Sequence, residues 1–291
     1  MSAAPRRALL ADGRRRHFQH GPIDLVLEAW GAPGEVEAAH AQAWARFEGL
    51  LEELVAELPA LRAPAGSAAL AGPTARRMAA ACAPHAGVFV TPMAAVAGAV
   101  ADEVLAAMVA GRELAKAYVN DGGDIALHLA PGESLTGGIV ALAGRPEAAG
   151  LARLSADSPV RGIATSGWRG RSWSFGIADA VTVLAATAAS ADVAATLIAN
   201  EVTCEHPAIT RQPAAEVDDN TDLGHRPVTT AVGALDPGSV AAALDRGARC
   251  AAAMHEAGHI IAAMLVLRAR RRIVGEARAL IARTAGEGSD G

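Results

Sequence analysis

The scarcity of large aromatic side chains is the feature that most constrains the fold. The sequence has four Trp, four Phe and one Tyr among 291 residues, while alanine occurs throughout. A core built from Ala, Val, Leu and Ile requires elements that approach one another closely, which favours helices packed tightly on sheets. Strand and helix patterns alternate irregularly along the chain. We therefore expect an α+β fold in which mixed or antiparallel sheets pack with Ala-rich helices.

The spacing of apolar residues predicts most of the secondary structure. Residues 17–31 are typical of a hairpin that turns at Gly21-Pro22, and residues 34–62 have helical spacing until Pro59 ends or kinks the helix. Residues 117–130 predict two strands joined by a glycine-rich turn. Further strands are predicted at 87–93, 135–144, 162–166 and 180–187, and further helices behind Pro92, after a Ser190 cap and from Asp236-Pro237.

The chain shows no internal repeat and no clear linker, so one domain is expected over residues 14–275. Residues 1–13 are predicted to be a flexible N-terminus, and residues 276–291 a helix end with a disordered tail. Residues 205–228 contain three prolines and several acids, which indicates a surface excursion.

Charge, cysteine content and hydropathy argue against several classes of protein. The formal net charge is −5 and the pI is about 6.0, which argues against a nucleic-acid groove. Cys82, Cys204 and Cys250 are too far apart and odd in number for a disulfide framework. The most apolar run, residues 93–110, is interrupted by two acids. We therefore expect no membrane span and a cytoplasmic protein.

One motif favours a zinc site. His255, Glu256 and His259 spell H-E-x-x-H, which on one helix places two histidines and a general base together. Such a site needs a helix that continues past Gly258 and a third ligand, for which Glu276 is available. Gly258 also fits a helix end, and the following residues fit a strand equally well. If the helix ends at Gly258, the motif is a chance match at a helix terminus.

A second candidate site lies in the turn of the predicted hairpin. The segment Y-V-N-D-G-G-D-I contains Asn120, Gly122, Gly123 and Asp124. Two glycines allow backbone N–H groups to approach a ligand closely, while Asn120 and Asp124 can bind its hydroxyl groups. An ordinary hairpin turn accounts for the same residues equally well.

A third candidate site follows the strand at 162–166. Thr165, Ser166 and Gly167 stand at the strand end, and Arg169 and Arg171 follow closely. Small hydroxyls, a glycine and two guanidinium groups suit phosphate oxygens. A solvated loop is the alternative.

A fourth candidate lies near a helix start. Asp192 and Thr196 are four residues apart, so they lie on one helical face. A carboxylate and a hydroxyl are oxygen ligands suited to Mg²⁺, near a helix end that favours phosphate. An acid near a helix start is also routine without any ligand.

The last three candidates together resemble the ApbE-like superfamily, the FAD:protein FMN transferases. The shared motifs are N-x-G-G-D-I, then A-T-S-G, then V-T-V-L-A followed by A-D-x-x-A-T. The runs H-F-Q-H-G-P-I-D-L and R-G-I-A-T-S-G-W-R-G-R-S are most similar to a branch of that superfamily catalogued as a UPF family. The resemblance extends over about residues 14–275. It also favours chance as the origin of H-E-x-x-H, since the branch has a helix, a turn and a final strand there.

The resemblance implies an ApbE-like fold and a ligand, FAD or FMN, bound with Mg²⁺. It places Asn120, Gly122, Gly123 and Asp124 in the flavin nucleotide site. It also assigns Thr165, Ser166 and Gly167 to cofactor binding. It implies Mg²⁺ binding by Asp192 and Thr196, a small phosphate-bearing ligand and an acceptor protein.

The chain also departs from the transferase pattern. Ala97 stands where the transferases carry a lysine, and their His-x-x-Asp-Pro loop is replaced by the shorter R-G-R-S-W-S-F-G-I-A-D-A. Asp179 is the candidate base in that segment, with Arg169 and Arg171 as stabilisers of phosphate charge. Three functions stay open: an FMN transferase, a non-catalytic flavin-binding accessory protein, and a zinc hydrolase. Apolar, Ala-rich helical faces could also pack in a homodimer.

Overall fold

The computed structural model of the protein describes residues 4–142, 145–275 and 280–282. Helices and strands are mixed, and every strand pairing is antiparallel. The predicted α+β class is confirmed. The strands are β1 (Arg6–Leu9), β2 (Arg16–His20), β3 (Ile23–Gly31), β4 (Leu114–Asp121), β5 (Asp124–Leu129), β6 (Ser134–Leu142), β7 (Arg145–Ser155), β8 (Gly162–Ser166), β9 (Ala180–Ala185), β10 (Ile209–Pro213), β11 (Pro227–Val232), β12 (Ala262–Leu267), β13 (Arg270–Gly275) and β14 (Leu280–Ala282).

The α-helices are α1 (Pro33–Phe47), α2 (Leu50–Ala56), α3 (Leu58–Leu61), α4 (Pro73–Cys82), α5 (Val96–Val109), α6 (Ala188–Glu201), α7 (Ala214–Val217) and α8 (Pro237–Glu256). Short 3₁₀ turns occupy Ala83–His85 and Pro92–Ala95. The described strands form a nine-stranded sheet in the order β1-β2-β3-β4-β5-β8-β9-β12-β13, a three-stranded sheet β14-β7-β6 and the pair β10-β11.

The central strands of the large sheet are apolar on both faces because both faces are covered. In β9, Val181 and Val183 belong to the same apolar cluster as residues of α6 and α8. Their neighbours Ala180 and Leu184 belong to a different cluster on the opposite face, which also contains Leu154 of β7. This alternation follows from the two-residue period of a strand. The helices α1, α4, α5, α6 and α8 therefore lie on one face of the sheet.

Helix α5 is the most apolar helix of the described chain. The window Pro92–Val109 is long and apolar enough to cross a bilayer by length and composition, and 56% of it is buried inside the protein. The two acids of this run therefore do not exclude it as a span by length and composition, and the absence of a membrane span stays a prediction. Ala99, Val100, Val104 and Met108 are buried in the core, which is the pattern of a core helix.

Several local predictions are confirmed. The hairpin at 17–31 is β2 and β3, the hairpin at 117–130 is β4 and β5, and the strands at 162–166 and 180–187 are β8 and β9. The predicted strand at 135–144 is β6 as far as residue 142, and residues 143–144 lie outside the described residues. Asp236 caps α8 by accepting hydrogen bonds from the Gly238 and Ser239 amides.

Other local predictions differ from the structure. Residues 87–93 form no strand, because Val90 makes one backbone bond, to the Ala65 amide, and Pro92 opens a 3₁₀ turn. Helix α6 is capped by Thr187, whose hydroxyl accepts from the Ser190 amide, so the helix starts before Ser190. The helix predicted over 34–62 is divided into α1, α2 and α3.

The predicted chain ends also differ from the structure where it describes them. Residues 6–9, within the N-terminal segment expected to be flexible, form β1 and pair with β2. In the C-terminal segment 276–291, residues 280–282 form a strand instead of a helix end, and the remaining residues lie outside the described part.

Candidate functional site

The glycine-rich segment forms a two-residue hairpin turn between β4 and β5. Gly122 has φ +63° and Gly123 has φ +117°, which favour glycine at both positions. The Asn120 side chain accepts a hydrogen bond from the Gly123 amide at 2.8 Å. An ordinary hairpin turn therefore accounts for these residues. The turn also places Asp121 and Asp124 opposite each other at the end of the hairpin.

Asp124, Asp192 and Thr196 line one cavity of about 260 Å³ on the helical face of the sheet. We call it the acidic cavity, since Asp124, Asp192, Asp218 and Asp222 line it and Arg171 is the one basic residue among its described lining residues. Asp124 comes from β5, while the other two predicted ligands come from α6. The structure thus joins two motifs that lie about seventy residues apart.

Two backbone amides hold the central carboxylates. The Thr165 amide donates to Asp124 Oδ1 at 3.1 Å, and the Gly98 amide donates to Asp192 Oδ2 at 3.0 Å. The pKa of Asp124 is raised to about 7, mainly by burial and also by the charge of Asp121, against the lowering effects of the Thr165 amide and Arg171. Two such carboxylates in one cavity favour a bound cation, because a cation removes their mutual repulsion.

Burial also raises the pKa values of Asp121 and Asp192. Burial raises the pKa of Asp121 to about 7, against the opposing effects of the Asp24 amide and Arg171. Burial, followed by the charge of Asp124, raises the pKa of Asp192 well above its ordinary value. The carboxylates of this region therefore favour protons or another cation over the ionised state.

The crossing of α5 and α6 positions Asp192. A Cβ atom at Gly98 would lie 2.3 Å from the Ala188 carbonyl oxygen, so only glycine permits this approach. Asp102 of α5 accepts hydrogen bonds from the Ala188 and Ala189 amides at 3.1 and 2.9 Å, which caps α6. Each helix thus donates amide hydrogen bonds to a carboxylate of the other.

Arg171 joins the acidic cavity to a neighbouring one. Its Nη2 atom donates to the Pro22 carbonyl at 2.9 Å, and a Cβ atom at Gly122 would lie 2.9 Å from its Nη1 atom. The neighbouring cavity has a volume of about 390 Å³ and is lined by Asn120, Gly122, Gly123 and Arg171 among others. We call it the turn cavity. The glycine turn therefore leaves room for the guanidinium group.

The strand end at 165–167 supports the site and does not line it. The Thr165 hydroxyl lies 2.9 Å from the Thr182 hydroxyl. Because side chains alternate between the two faces along β8, this contact is on the sheet face opposite the helices. A Cβ atom at Gly167 would lie 2.7 Å from the Asp179 carbonyl oxygen. Among the residues that line the acidic cavity and the turn cavity in the described part of the chain, Thr165, Ser166 and Gly167 do not occur.

Arg169 and Asp179 lie outside both cavities. The Arg169 guanidinium carbon stands 4.2 Å from the centre of the Trp168 ring. Asp179 is buried, and its Oδ2 accepts a hydrogen bond from the Arg268 amide at 2.7 Å. Arg268 and Ala269 have φ of +50° and +64°, so this carboxylate stabilises the strained turn between β12 and β13. These contacts argue against Asp179 as the base and against Arg169 as a phosphate ligand.

One wall of the acidic cavity was not predicted from the sequence. In the segment expected to be a surface excursion, Asp218 and residues 220–223 line it together with Thr91 and Trp173. The Trp173 Nε1 atom donates to Asp218 at 3.4 Å, and the Thr91 hydroxyl contacts Asp222. The run D-D-N-T-D is rich in oxygen ligands, and that composition is the signal that could have identified it.

The H-E-x-x-H motif does not lie on one helix. Helix α8 ends at Glu256, and Gly258 has φ +75°. The Gly258 amide donates to the His255 carbonyl and the His259 amide to the Met254 carbonyl, which is a Schellman helix end. Among the described residues, no group of three His, Cys, Asp or Glu could hold a metal ion. The structural premise of the zinc hydrolase is therefore wrong, and Glu276 lies outside the described residues.

Comparisons with known proteins found a family and a solved structure that are similar to the chain. The apo crystal structure of Pseudomonas stutzeri flavinyl transferase ApbE is similar at 13% sequence identity and a TM-score of 0.49, over 97% of this chain and 94% of that chain. No curated protein sequence matches the chain. The family model described as AbpE bacteria matches residues 7–279. Because this match covers nearly the whole chain, the chain belongs to that family, and its predicted place in the ApbE-like superfamily is confirmed.

Proposed function

We propose that the acidic cavity binds the phosphate groups of a flavin nucleotide, FAD or FMN, together with Mg²⁺. The observation that carries this proposal is the convergence of Asp124, Asp192, Thr196 and Arg171 on one cavity. Carboxylate and hydroxyl oxygens are the ligands that Mg²⁺ prefers, and a guanidinium group suits phosphate oxygens. The family resemblance supports the same assignment for Asp192 and Thr196.

The residues of the cavity fit a hard cation. The charge of Asp124 raises the pKa of Asp192, and each carboxylate has further lone pairs beside the hydrogen bond that it accepts from the Thr165 or the Gly98 amide. Asp192 and Thr196 would hold the ion. When bound, Mg²⁺ supplies the positive charge that neutralises phosphate oxygens.

Arg171 is the proposed phosphate-binding cation. Ala97 lines the acidic cavity at the position where the transferases carry a lysine, so that helix supplies no charge there. Arg171 lines both the acidic and the turn cavity. Its contact with Pro22 orients the guanidinium group across the two. The loop after β8 thus supplies the charge that α5 lacks.

We further propose that the protein is an FMN transferase. An acceptor hydroxyl oxygen would bond to the phosphorus on the FMN side of FAD, the bond to the AMP oxygen would break, and the hydroxyl proton would leave to solvent or base. Arg171 would stabilise charge on the phosphate oxygens.

A non-catalytic flavin-binding accessory protein is the second candidate. One observation favours it: Asp179, the candidate base, is buried and bonded to the Arg268 amide. The same pocket would then hold the nucleotide without turnover. An acceptor protein, a homodimer and a cytoplasmic location stay predictions under either function.

Calorimetric titration of the metal-stripped protein with FAD, with and without Mg²⁺, tests the binding proposal. We expect saturable binding that Mg²⁺ strengthens by about tenfold or more, equivalent to about 1.4 kcal/mol. The Asp192→Asn variant should lose the Mg²⁺ dependence because it removes a charged ligand. The control is Asp245→Asn, since Asp245 is exposed on α8 and pairs with Arg272.

Retention of the Mg²⁺ effect in Asp192→Asn would reject the metal assignment. Absence of FAD binding under both conditions would reject FAD as the ligand, and with it the transferase. If FAD binds, release of AMP in the presence of candidate acceptor proteins distinguishes the transferase from the accessory protein.

A further inference from the structure

The H-E-x-x-H motif brings its second histidine to a different partner. His259 lies beside His85, with ring centres 5.3 Å apart and ring planes 53° apart. His85 ends the 3₁₀ turn Ala83–His85, while His259 follows the Schellman end of α8. His255 is turned away, with its Nδ1 atom 3.3 Å from the Ile260 carbonyl oxygen. The end of α8 therefore separates His259 from His255 and brings it beside His85.

Both histidines line a third cavity, of about 770 Å³, which we call the histidine cavity. Its wall also contains Met254 of α8, and it shares Phe89 and Phe175 with the acidic cavity. A cavity of this size leaves room for water or a ligand beside the two rings. His85 and His259 are partly exposed to it.

The spacing of the rings would allow two imidazoles to reach one metal ion. Metal–nitrogen distances of about 2.0–2.1 Å place the ring centres of two tetrahedral imidazole ligands about 5 Å apart. The neutral imidazole ring is the form that binds metal.

We propose that His85 and His259 form a two-histidine site for a first-row divalent transition ion such as Cu²⁺, Ni²⁺ or Zn²⁺. Imidazole nitrogens select these ions over Mg²⁺, which prefers oxygen. Two side chains leave the other coordination positions to water or a bound ligand, so the ion is exchangeable. This site is separate from the oxygen ligands of the acidic cavity and does not depend on the proposed flavin function.

Titration of the metal-stripped, full-length protein with Ni²⁺ in excess Mg²⁺ tests the site. We expect one saturable equivalent of Ni²⁺ per chain. The variants His85→Gln and His259→Gln should each weaken binding by about tenfold or more, because each removes one of two ligands. His255→Gln is the matched control, since it changes the same motif and should bind Ni²⁺ like the wild type.

Three outcomes would overturn the proposal. Unchanged Ni²⁺ affinity in the double variant His85→Gln/His259→Gln would indicate adventitious binding elsewhere. An equal loss in His255→Gln would return the site to the H-E-x-x-H motif. Absence of a saturable Ni²⁺ equivalent in the wild type would exclude the site.

Two further measurements keep these outcomes interpretable. Circular dichroism and thermal unfolding of each variant show whether a loss of affinity comes from unfolding. Asp192→Asn should bind Ni²⁺ normally, so failure of the flavin proposal and failure of this one are distinguishable.

Discussion

Asp124 combines a structural role with a place in the acidic cavity. Its carboxylate accepts the Thr165 amide hydrogen bond, and its pKa is raised to about 7 by burial, with Asp121 adding to the rise. The native state therefore binds a proton at this residue more tightly than the unfolded chain, where an Asp has a pKa of about 3.9. The stability that this proton contributes is fully present below about pH 4 and is lost as the pH rises through about 7.

Replacing Asp124 with Asn should therefore change stability in a pH-dependent direction. In the metal-free protein, the stability of Asp124→Asn relative to the wild type should increase as the pH rises from about 4 to about 7. Asn keeps an oxygen for the Thr165 amide and removes the charge. Urea unfolding at several pH values measures the difference in free energy of unfolding.

The control for this prediction is Asp245→Asn, at an exposed position of α8. Its stability relative to the wild type should change little over the same pH range. A pH-independent difference for Asp124→Asn would show that the raised pKa of Asp124 does not contribute to stability.

At the scale of elements, the crossing of α5 and α6 decides the geometry of the acidic cavity. The helices touch through the Gly98 position, and each caps the other through Asp102 and Asp192. The Asp192 carboxylate is thereby held at the cavity wall by an element distant in sequence. A change in the separation of the helices would move this carboxylate.

Gly98→Ala should destabilise the protein and weaken Mg²⁺-dependent ligand binding together. The added Cβ would lie 2.3 Å from the Ala188 carbonyl oxygen, and its other close neighbours are also backbone atoms, so the helices must separate. Overpacking of this kind costs on the order of 1–3 kcal/mol. Denaturant unfolding and FAD titration measure the two effects.

Gly34→Ala is the matched control for the helical glycine. A Cβ there has no heavy atom within 4 Å, so its stability should be unchanged or slightly raised. Wild-type stability in Gly98→Ala would contradict the close approach of α5 and α6.

At the scale of the whole molecule, the acidic cavity is assembled from distant parts of the chain. Its walls come from β5, α5 and α6, the loop that contains Arg171, and Asp218 with residues 220–223. A ligand in the cavity would contact all of these segments at once. Binding should therefore restrain the two loops more than the central sheet, which is already held by paired strands on each side.

Hydrogen exchange with and without FAD and Mg²⁺ should detect this restraint. We expect slower exchange at residues 168–173 and 218–223 on binding, and no change in β1 at the sheet edge. Protection confined to the turn cavity would instead indicate that the nucleotide avoids the acidic cavity. Unchanged exchange everywhere, under conditions of proven binding, would contradict the assignment of these loops to the site.

The local sequence determined the elements and the turns. Alternation identified β3, short apolar runs identified β4, β5, β8 and β9, and the D-G-G-D run identified the hairpin turn between β4 and β5. Asp236-Pro237 marked the start of α8. These signals depend on neighbouring residues alone, so they can be read from the sequence. The family motifs extended this information to the whole chain.

Only the tertiary structure decided which of these elements share a site. Thr165 and Asp124 are both motif residues, yet strand alternation and sheet order place the Thr165 hydroxyl on the face away from the cavity. His259 meets His85, and residues 218–223 meet Trp173, through contacts between segments far apart in sequence. Local periodicity carries no information about such contacts, because they depend on how close-packed elements cross.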